Sequence, residues 1–361
     1  MKKIIFFLIV LAVTGCATPK QETLQSVFFP PLPQTPKLQF LFSISDETDL
    51  GEKPGGLAEY LYGEMASKKR LGRPIGIASL KGRIYVADKT RQQIVYLDLK
   101  NKKMTFLKTN EEGTIDNPFG IWATEDGYIY IADIGRNQVL VYDNNDKYIK
   151  AYGDADLLGK PLDVAVYQKR VYVVDQKKNT IYVFDKDSGK VIQEIGGVVG
   201  SGDGEFYRPS YLTVDNEGNL YVSDSFNFRV QVFDPEGNFV KTFGQAGDTL
   251  GSFARPKGLA IDRDDHIYAV DTAFENVQIF DVNSTDLLLY FGGSQIGPGS
   301  MQMPHGIHID YENIEYFQKY ADKNFKIEYL VYVGNTLGFR KLNVYGFGEW
   351  IGPALPKMRQ K

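Results

Sequence analysis

A short phrase built around a proline recurs six times along the chain, and this repeat restricts the fold more than any other feature. The recurring prolines are Pro74, Pro118, Pro161, Pro209, Pro256 and Pro304, spaced 43 to 48 residues apart. A fixed period of this length is typical of repeat architectures, in which each unit packs against its neighbours. We therefore expect one repetitive domain rather than several unrelated ones.

Each unit contains further phrases that predict β-strands. The second strand alternates apolar and aromatic residues and ends in an aspartate, at Asp88, Asp133, Asp175, Asp224 and Asp271. Another aspartate follows each of these after ten residues, which indicates one hairpin register in all five copies. Turn sequences such as Asp234 to Gly237 separate the strands. Four antiparallel strands in about 46 residues predict one blade of a β-propeller.

The sixth unit departs from this pattern and predicts how the ring closes. Residues 311–328 separate its first two strands, Asn335 stands in the place of the aspartate, and no fourth strand follows 341–345. An isolated strand at 38–44 would complete this blade as its outermost strand, so that no strand edge is left at the seam. The sequence therefore predicts an all-β, six-bladed propeller closed by its N-terminal strand.

The segment 45–72 would then connect blade six to blade one. Leu57, Leu61 and Met65 are spaced as on one face of a helix, so we expect a short helix there.

The repeated phrases resemble the NHL repeat. The best match runs from Pro209 to Phe243, with Asp224, Asn227 and Arg229 at positions that follow the family pattern, and the resemblance extends over about residues 73–347. It implies the propeller fold and leaves the function open, because one fold can carry many functions.

The N-terminal sequence predicts the cellular localisation of the protein. Lys2 and Lys3 precede ten apolar residues, which is the pattern of a signal peptide. Small residues before Cys16 resemble the bacterial lipobox, so we expect cleavage after residue 15, lipidation of Cys16 and, because Ala17 follows, the outer membrane. The alternative is an ordinary signal peptide that is cut elsewhere.

The remaining boundaries follow from these assignments. Prolines concentrated between residues 16 and 37 predict an extended tether. We place the propeller at 38–350 and a C-terminal tail at 351–361. The single cysteine excludes a disulfide within one molecule, and the net charge of −4 without a basic patch argues against nucleic acid as a partner. We expect a monomer.

The residues that follow the repeat prolines should meet around one mouth of the central channel. They are Ile75, Phe119, Leu162, Ser210, Lys257 and His305. Their chemistry differs although their positions are equivalent, which favours a ligand site carried by Phe119, Ser210, Lys257 and His305, with Ile75 and Leu162 as an apolar side. The alternative is that nothing constrains these positions.

We predict no catalytic residue, metal or cofactor. The strand-end aspartates are expected to hold turns together, and Asp224, Asn227 and Arg229 to form a local polar cluster. His266 falls in a turn on the face opposite the mouth, and His305 and His308 are three apart on one strand and should point to opposite faces. The three histidines are therefore not expected to converge on one metal ion. The favoured function is therefore a binding or scaffolding module, lipid-anchored in the envelope, for a protein, peptide or glycan. The alternative is a lyase or lactone hydrolase with a divalent cation held by carboxylates and His305.

Overall fold

The computed structural model describes residues 26–51 and 69–356. The predicted signal peptide, Cys16 and the helix expected around Leu57, Leu61 and Met65 lie outside these residues. Over the described ranges the chain forms six antiparallel β-sheets, arranged as blades around one axis. In this part of the chain, no helix is both long and apolar enough to cross a membrane.

Two strands near the N-terminus precede the first complete blade, and five blades then follow in chain order. The early strands are β1 (Val27–Phe29) and β2 (Leu38–Ile44). Blade one contains β3 (Pro74–Leu80), β4 (Arg83–Asp88), β5 (Gln93–Asp98) and β6 (Lys103–Phe106). Blade two contains β7 (Pro118–Ala123), β8 (Tyr128–Asp133), β9 (Gln138–Asp143) and β10 (Tyr148–Tyr152). Blade three contains β11 (Pro161–Tyr167), β12 (Arg170–Asp175), β13 (Thr180–Asp185) and β14 (Val191–Gly196).

The remaining blades complete the ring. Blade four contains β15 (Leu212–Val214), β16 (Leu220–Asp224), β17 (Arg229–Phe233) and β18 (Phe239–Phe243). Blade five contains β19 (Pro256–Ile261), β20 (His266–Asp271), β21 (Asn276–Asp281) and β22 (Leu287–Gly292). Blade six contains β23 (Pro304–Asp310), β24 (Phe325–Asn335) and β25 (Leu342–Trp350). Each innermost strand contacts the next around the axis, and β23 contacts β3.

The ring closes through the N-terminal strand, as the sequence predicts. β2 pairs antiparallel with β25, with Leu38 opposite Phe347 and Ile44 opposite Leu342. The prediction that β2 is the outermost strand is wrong, because β1 pairs with its free side and makes blade six a five-stranded sheet. Strand β1 and the connection from it to β2, residues 30–37, therefore belong to the propeller and not to the predicted tether. Residues 27–29 can pair as a strand because none of them is a proline, and a proline has no backbone N–H to donate to the neighbouring strand.

The insertion in blade six is shorter than expected, because β24 begins at Phe325. Between β23 and β24 lies one short helix, α1 (Ile314–Gln318), whose Phe317 is fully buried. The carboxylate of Asp310 accepts hydrogen bonds from the backbone N–H groups of Glu312 and Asn313. This bonding turns the chain into the helix at the end of β23.

The core lies between the blades and repeats with them. In each blade, the second strand contributes one tyrosine whose surface is at most 1% exposed. These residues are Tyr85, Tyr130, Tyr172, Tyr221, Tyr268 and Tyr332. A large aromatic ring fills the space between two twisted sheets, and burying such a ring contributes a few kcal/mol. The inner strands are thereby held in fixed positions around the axis.

Candidate functional site

Two cavities lie on the axis, one at each end. The first has a volume of about 440 Å³ and is called the mouth cavity. It is lined by Arg73, Ile75, Lys89, Phe119, Ile134, Lys160, Leu162, Gln176, Lys257, Met303, His305, Thr336 and Leu337. The second, of about 240 Å³, is called the base cavity and includes Asp163, Asp262 and His308 in its lining. The two cavities share no lining residue.

Five of the six predicted mouth residues do line the mouth cavity, and Ser210 does not. Ser210 is 1% exposed, and its hydroxyl lies 2.6 Å from that of Ser225, which in turn donates to the carbonyl of Pro256. The physical reason is that β15 begins at Leu212, whereas the other inner strands begin at the repeat proline. Ser210 therefore joins blade four to blade five instead of facing the axis.

Tyr211 takes the axial position and separates the two cavities. It is 4% exposed, and its hydroxyl lies 2.8 Å from the carbonyl oxygen of Ile75 and 2.8 Å from Nδ1 of His305. One side chain from blade four thus bonds to blade one and to blade six across the axis. The mouth cavity is therefore closed at its inner end.

The hydrogen bonds of Tyr211 also fix the tautomer of His305. A phenol has a single hydrogen, and the carbonyl of Ile75 can only accept, so the hydroxyl donates to Ile75. Its oxygen must then accept a hydrogen from Nδ1 of His305, which leaves Nε2 with a lone pair. Burial and the neighbouring charges of Lys257, Lys89 and Arg255 lower the pKa of His305 to about 3. The ring is therefore neutral at physiological pH.

Close packing of the inner strands narrows the channel beneath the mouth. Gly258 and Gly306 follow the mouth residues in blades five and six, and a Cβ on either would lie 2.5 Å from a backbone oxygen of the next blade. Glycine is required where two backbones approach so closely. In blades three and four the equivalent residues are Asp163 and Tyr211, whose side chains occupy the centre of the ring.

Asp163 is a buried acid that carries a proton at neutral pH. It is 7% exposed and accepts a hydrogen bond of 3.1 Å from the backbone N–H of Leu212. Burial raises the pKa of the Asp163 carboxyl to about 8. No charge is thereby placed at the centre of the ring.

The mouth cavity is lined by cations. Arg73 and Lys89 come from blade one, Lys160 from blade three and Lys257 from blade five, and no acidic side chain is among the lining residues. Among the described residues, none of these four cations forms a salt bridge. Burial, together with the charges of Arg255 and Lys160, lowers the pKa of Lys257 to about 8. The site is thus electropositive and partly desolvated.

The strand-end aspartates close to the mouth hold the turns at the strand ends, as predicted. Asp88 is fully buried and accepts hydrogen bonds from backbone N–H groups, including those of Arg73 and Thr90, both at 3.0 Å. Asp133, Asp175 and Asp271 repeat this arrangement. Their carboxylates are therefore engaged with the backbone.

The predicted polar cluster around Asp224 is local, and the other two histidines bond to neighbouring side chains. Asp224 accepts hydrogen bonds from the side chains of Asn227 and Arg229, at 2.7 and 3.0 Å. His266 pairs with Asp262 at 3.0 Å, and Nε2 of His308 lies 2.9 Å from the Ser79 hydroxyl. Within residues 26–51 and 69–356, no group of three or more His, Cys, Asp or Glu side chains could hold a metal ion.

Sequence reasoning missed Tyr211, Asp163 and three of the four cations. Asp163 and Tyr211 could have been found by comparing the second residue after each repeat proline. This residue is aspartate in unit three and tyrosine in unit four, and glycine in the other units. Arg73 and Lys160 directly precede a repeat proline, and Lys89 directly follows Asp88. Their convergence depends on the closed ring, which the repeat predicts.

Comparison with known proteins agrees with this architecture. The sequence profile of the 6-bladed beta-propeller family matches residues 153–226 and 214–333. The chain belongs to the 6-bladed beta-propeller family. The matched residues include blades three to five and most of the first two strands of blade six.

Curated relatives support the NHL-repeat resemblance. Human NHL repeat-containing protein 3 is 27% identical over 141 residues, which cover 34% of this chain and 41% of that protein. Protein lin-41 of Caenorhabditis elegans is 37% identical over 82 residues, which cover 23% of this chain and 6% of that protein. The matched segments span less than half of either relative.

Solved structures share the fold at low sequence identity. A structural genomics protein from Bacteroides thetaiotaomicron superimposes with a TM-score of 0.58 at 18% identity, covering 85% of this chain and 75% of the other. A streptogramin B lyase superimposes with a TM-score of 0.51 at 13% identity, covering 76% and 83%. At these identities the likeness is one of fold alone.

Proposed function

We propose that this propeller is a lipid-anchored binding or scaffolding module of the bacterial envelope, which takes its protein, peptide or glycan partner at the mouth cavity. One observation carries the proposal: the residues at the mouth differ from blade to blade, whereas the strand-end aspartates and core tyrosines around them repeat. A cavity with a closed end, an apolar side and a few polar groups is the usual form of a ligand site.

The anchoring part of the proposal rests on the sequence before Cys16. A lipidated cysteine with several acyl chains attaches a protein stably to a membrane. The residues between Cys16 and β1 would link the lipid to the propeller, which would then present the mouth to partners in the envelope.

The enzymatic alternative finds little support in the geometry. A divalent cation at the mouth would need carboxylate ligands beside His305, and the lining contains four cations instead. The nearby carboxylates, such as that of Asp88, accept hydrogen bonds from the backbone. The lyase named among the solved structures shares only the fold, so we favour binding over catalysis.

Site-specific crosslinking in the native envelope tests the location of the partner. A photoreactive residue is placed at Leu337, which is 49% exposed at the mouth, or at Val240, which is 51% exposed on the outer strand of blade four. We expect a discrete adduct from position 337 that disappears when Lys257 and His305 are both changed to Ala. An adduct from position 240 alone would show that the disc binds through its rim.

A further inference from the structure

The cations of the mouth cavity surround its axis. Blade one contributes Arg73 and Lys89, blade three contributes Lys160, and blade five contributes Lys257. Blades that place a cation in the lining therefore alternate around the ring with blades that place none. Like charges held around one small volume repel each other, and an anion at the centre removes that repulsion. The arrangement is therefore complementary to a negative group held on the axis.

The contacts of these cations leave them available to a ligand. Lys160 donates a hydrogen bond of 2.8 Å to the neutral side chain of Gln176, and the ammonium of Lys89 lies 5.6 Å from the ring centre of Phe119. The ammonium of Lys257 is given no hydrogen-bond partner by the described residues. A partly buried ammonium gains most from a charged acceptor, because water solvates it poorly there.

His305 adds a hydrogen-bond acceptor to the same cavity, in which the cations are hydrogen-bond donors. Its Nδ1 is bonded to Tyr211, so Nε2 is the nitrogen that keeps a lone pair and accepts a hydrogen bond. A bare carboxylate or sulfate has no hydrogen to donate to this nitrogen. A ligand that carries a hydroxyl beside its negative group satisfies both the cations and His305.

We infer that the ligand of the mouth cavity is a small hydroxylated anion of the acidic-sugar class, whose negative group lies among Lys89, Lys160 and Lys257 and whose hydroxyl donates to Nε2 of His305. This inference rests on the proposed function, because it names the chemistry bound at the same site. The cavity volume of about 440 Å³ suits a small molecule or the end of a chain. The apolar side formed by Ile75 and Leu162 would contact the C–H face of a sugar ring.

An acidic peptide fits the site less well. Its carboxylates would meet the cations, but an Asp or Glu side chain offers no hydrogen to His305. Only a backbone N–H could then pair with Nε2, and an acceptor that is left unpaired costs about 1–3 kcal/mol when it is buried. We therefore treat peptide binding as an outcome that the experiment must detect.

Calorimetric titration of the full-length protein in detergent tests the charge requirement. The probes are glucuronate and glucose 6-phosphate, which distinguish a carboxylate from a phosphate source, with glucose as a neutral sugar and triglutamate as an acidic peptide. We expect one or both charged sugars to bind, glucose to bind at least about tenfold more weakly, and added salt to weaken binding. The hypothesis is overturned if no charged sugar binds, or if glucose or triglutamate binds best.

Two variants with a matched control locate the charge effect. Lys257→Met keeps the length of the side chain and removes the ammonium, and we expect it to weaken binding of the charged sugar by on the order of tenfold. Lys147→Met removes an exposed lysine from a turn on the opposite face and should leave affinity unchanged. If Lys257→Met folds poorly, Lys89→Met serves the same purpose. Equal affinity in the mouth variants and the control would place the anion elsewhere.

A second pair of probes tests His305. Sulfate offers charge without a hydrogen, so His305→Phe should weaken binding of the charged sugar and leave sulfate binding unchanged. An equal loss of affinity for the charged sugar and for sulfate would show that His305 does not accept a hydrogen bond from the hydroxyl.

If crosslinking from position 337 captures a partner while no anion binds, the ligand class is wrong and the mouth remains the binding site. If anions bind and no adduct forms there, the cavity binds anions and the proposed partner site is wrong.

Discussion

The hydroxyl of Tyr211 lies 2.8 Å from Nδ1 of His305, so a residue of blade four fixes the protonation of a residue of blade six. The same hydroxyl donates to the carbonyl of Ile75 in blade one. A single phenol thus joins three blades across the axis and determines which nitrogen of His305 is presented to a ligand.

We expect Tyr211→Phe to lower the free energy of unfolding by about 1–3 kcal/mol, because the buried carbonyl of Ile75 and Nδ1 of His305 lose their partner. Chemical denaturation measures this loss. Nitrogen NMR of the histidine ring should report a hydrogen on Nδ1 in the parent protein and a changed tautomer population in the variant. An unchanged ring spectrum would contradict the assigned hydrogen-bond direction.

The stability of the protein should depend on pH through Asp163. Its carboxyl has a pKa of about 8 when folded and about 4 when unfolded, so between these values the folded state holds a proton that the unfolded state loses. The free energy of unfolding then falls as the pH rises through this window, by up to about 1.4 kcal/mol per pH unit. Asp163→Asn cannot ionise and should flatten this dependence and stabilise the protein at pH 7.

A matched control for this experiment is Asp98→Asn. Burial acts to raise the pKa of Asp98, but hydrogen bonds from Asn101 outweigh it and lower the pKa below the ordinary value. Asp98 therefore contributes stability that is lost only as the pH falls below about 4. Between pH 4 and 8, the free energy of unfolding should fall with pH equally steeply in Asp98→Asn and in the parent protein. If it falls as steeply in Asp163→Asn, the role of Asp163 is refuted.

The strand-end aspartates should be structural. Asp88→Ala leaves several buried backbone N–H groups without an acceptor, so we expect a loss of several kcal/mol in unfolding free energy. Asp98→Ala, at the half-buried end of the neighbouring strand in the same blade, should cost less than about 1 kcal/mol. Thermal and chemical denaturation of the two variants provide the comparison, and equal losses would count against this role for Asp88.

The N-terminal strands should be needed to close the ring. Deleting residues 17–44 removes β1 and β2 and exposes the edge of β25, so we expect a sharply lower melting temperature or aggregation. Deleting residues 17–25 keeps both strands and is the control. Melting that is unchanged by the longer deletion would mean that blade six is stable without them.

Membrane attachment should depend on Cys16. Cys16→Ser removes the thiol that would carry the lipid, so fractionation of cells should move the protein from the membrane to the soluble fraction. Cys16→Ala should behave in the same way. If either variant stays tightly attached, the lipoprotein prediction is wrong.

The repeat predicts the fold because its signals are local and occur many times. Each proline phrase and each aspartate at a strand end reports the same blade, and the missing fourth strand of unit six pointed to residues 38–44. The edge strand at Val27–Phe29 was missed because three residues beside several prolines give too short a pattern. Its pairing depends on an edge that exists only after the ring has closed.

The site was less predictable than the fold for a related reason. Position within the repeat placed Ile75, Phe119, Leu162, Lys257 and His305 correctly. It failed at Ser210, where the strand begins later and the neighbouring tyrosine turns inward. The cations at 73, 89 and 160 were not predicted, since each is an ordinary charged residue in its own unit and only the ring brings them together.

The closure of the axis by Tyr211 has a kinetic consequence. A molecule that enters the mouth cavity meets a blind end, so it must leave by the path along which it entered. If two molecules occupy the cavity, the first to arrive is the last to depart, and the opposite face of the disc exchanges nothing with them. The mouth cavity is therefore a receptacle with one opening and not one end of a continuous channel.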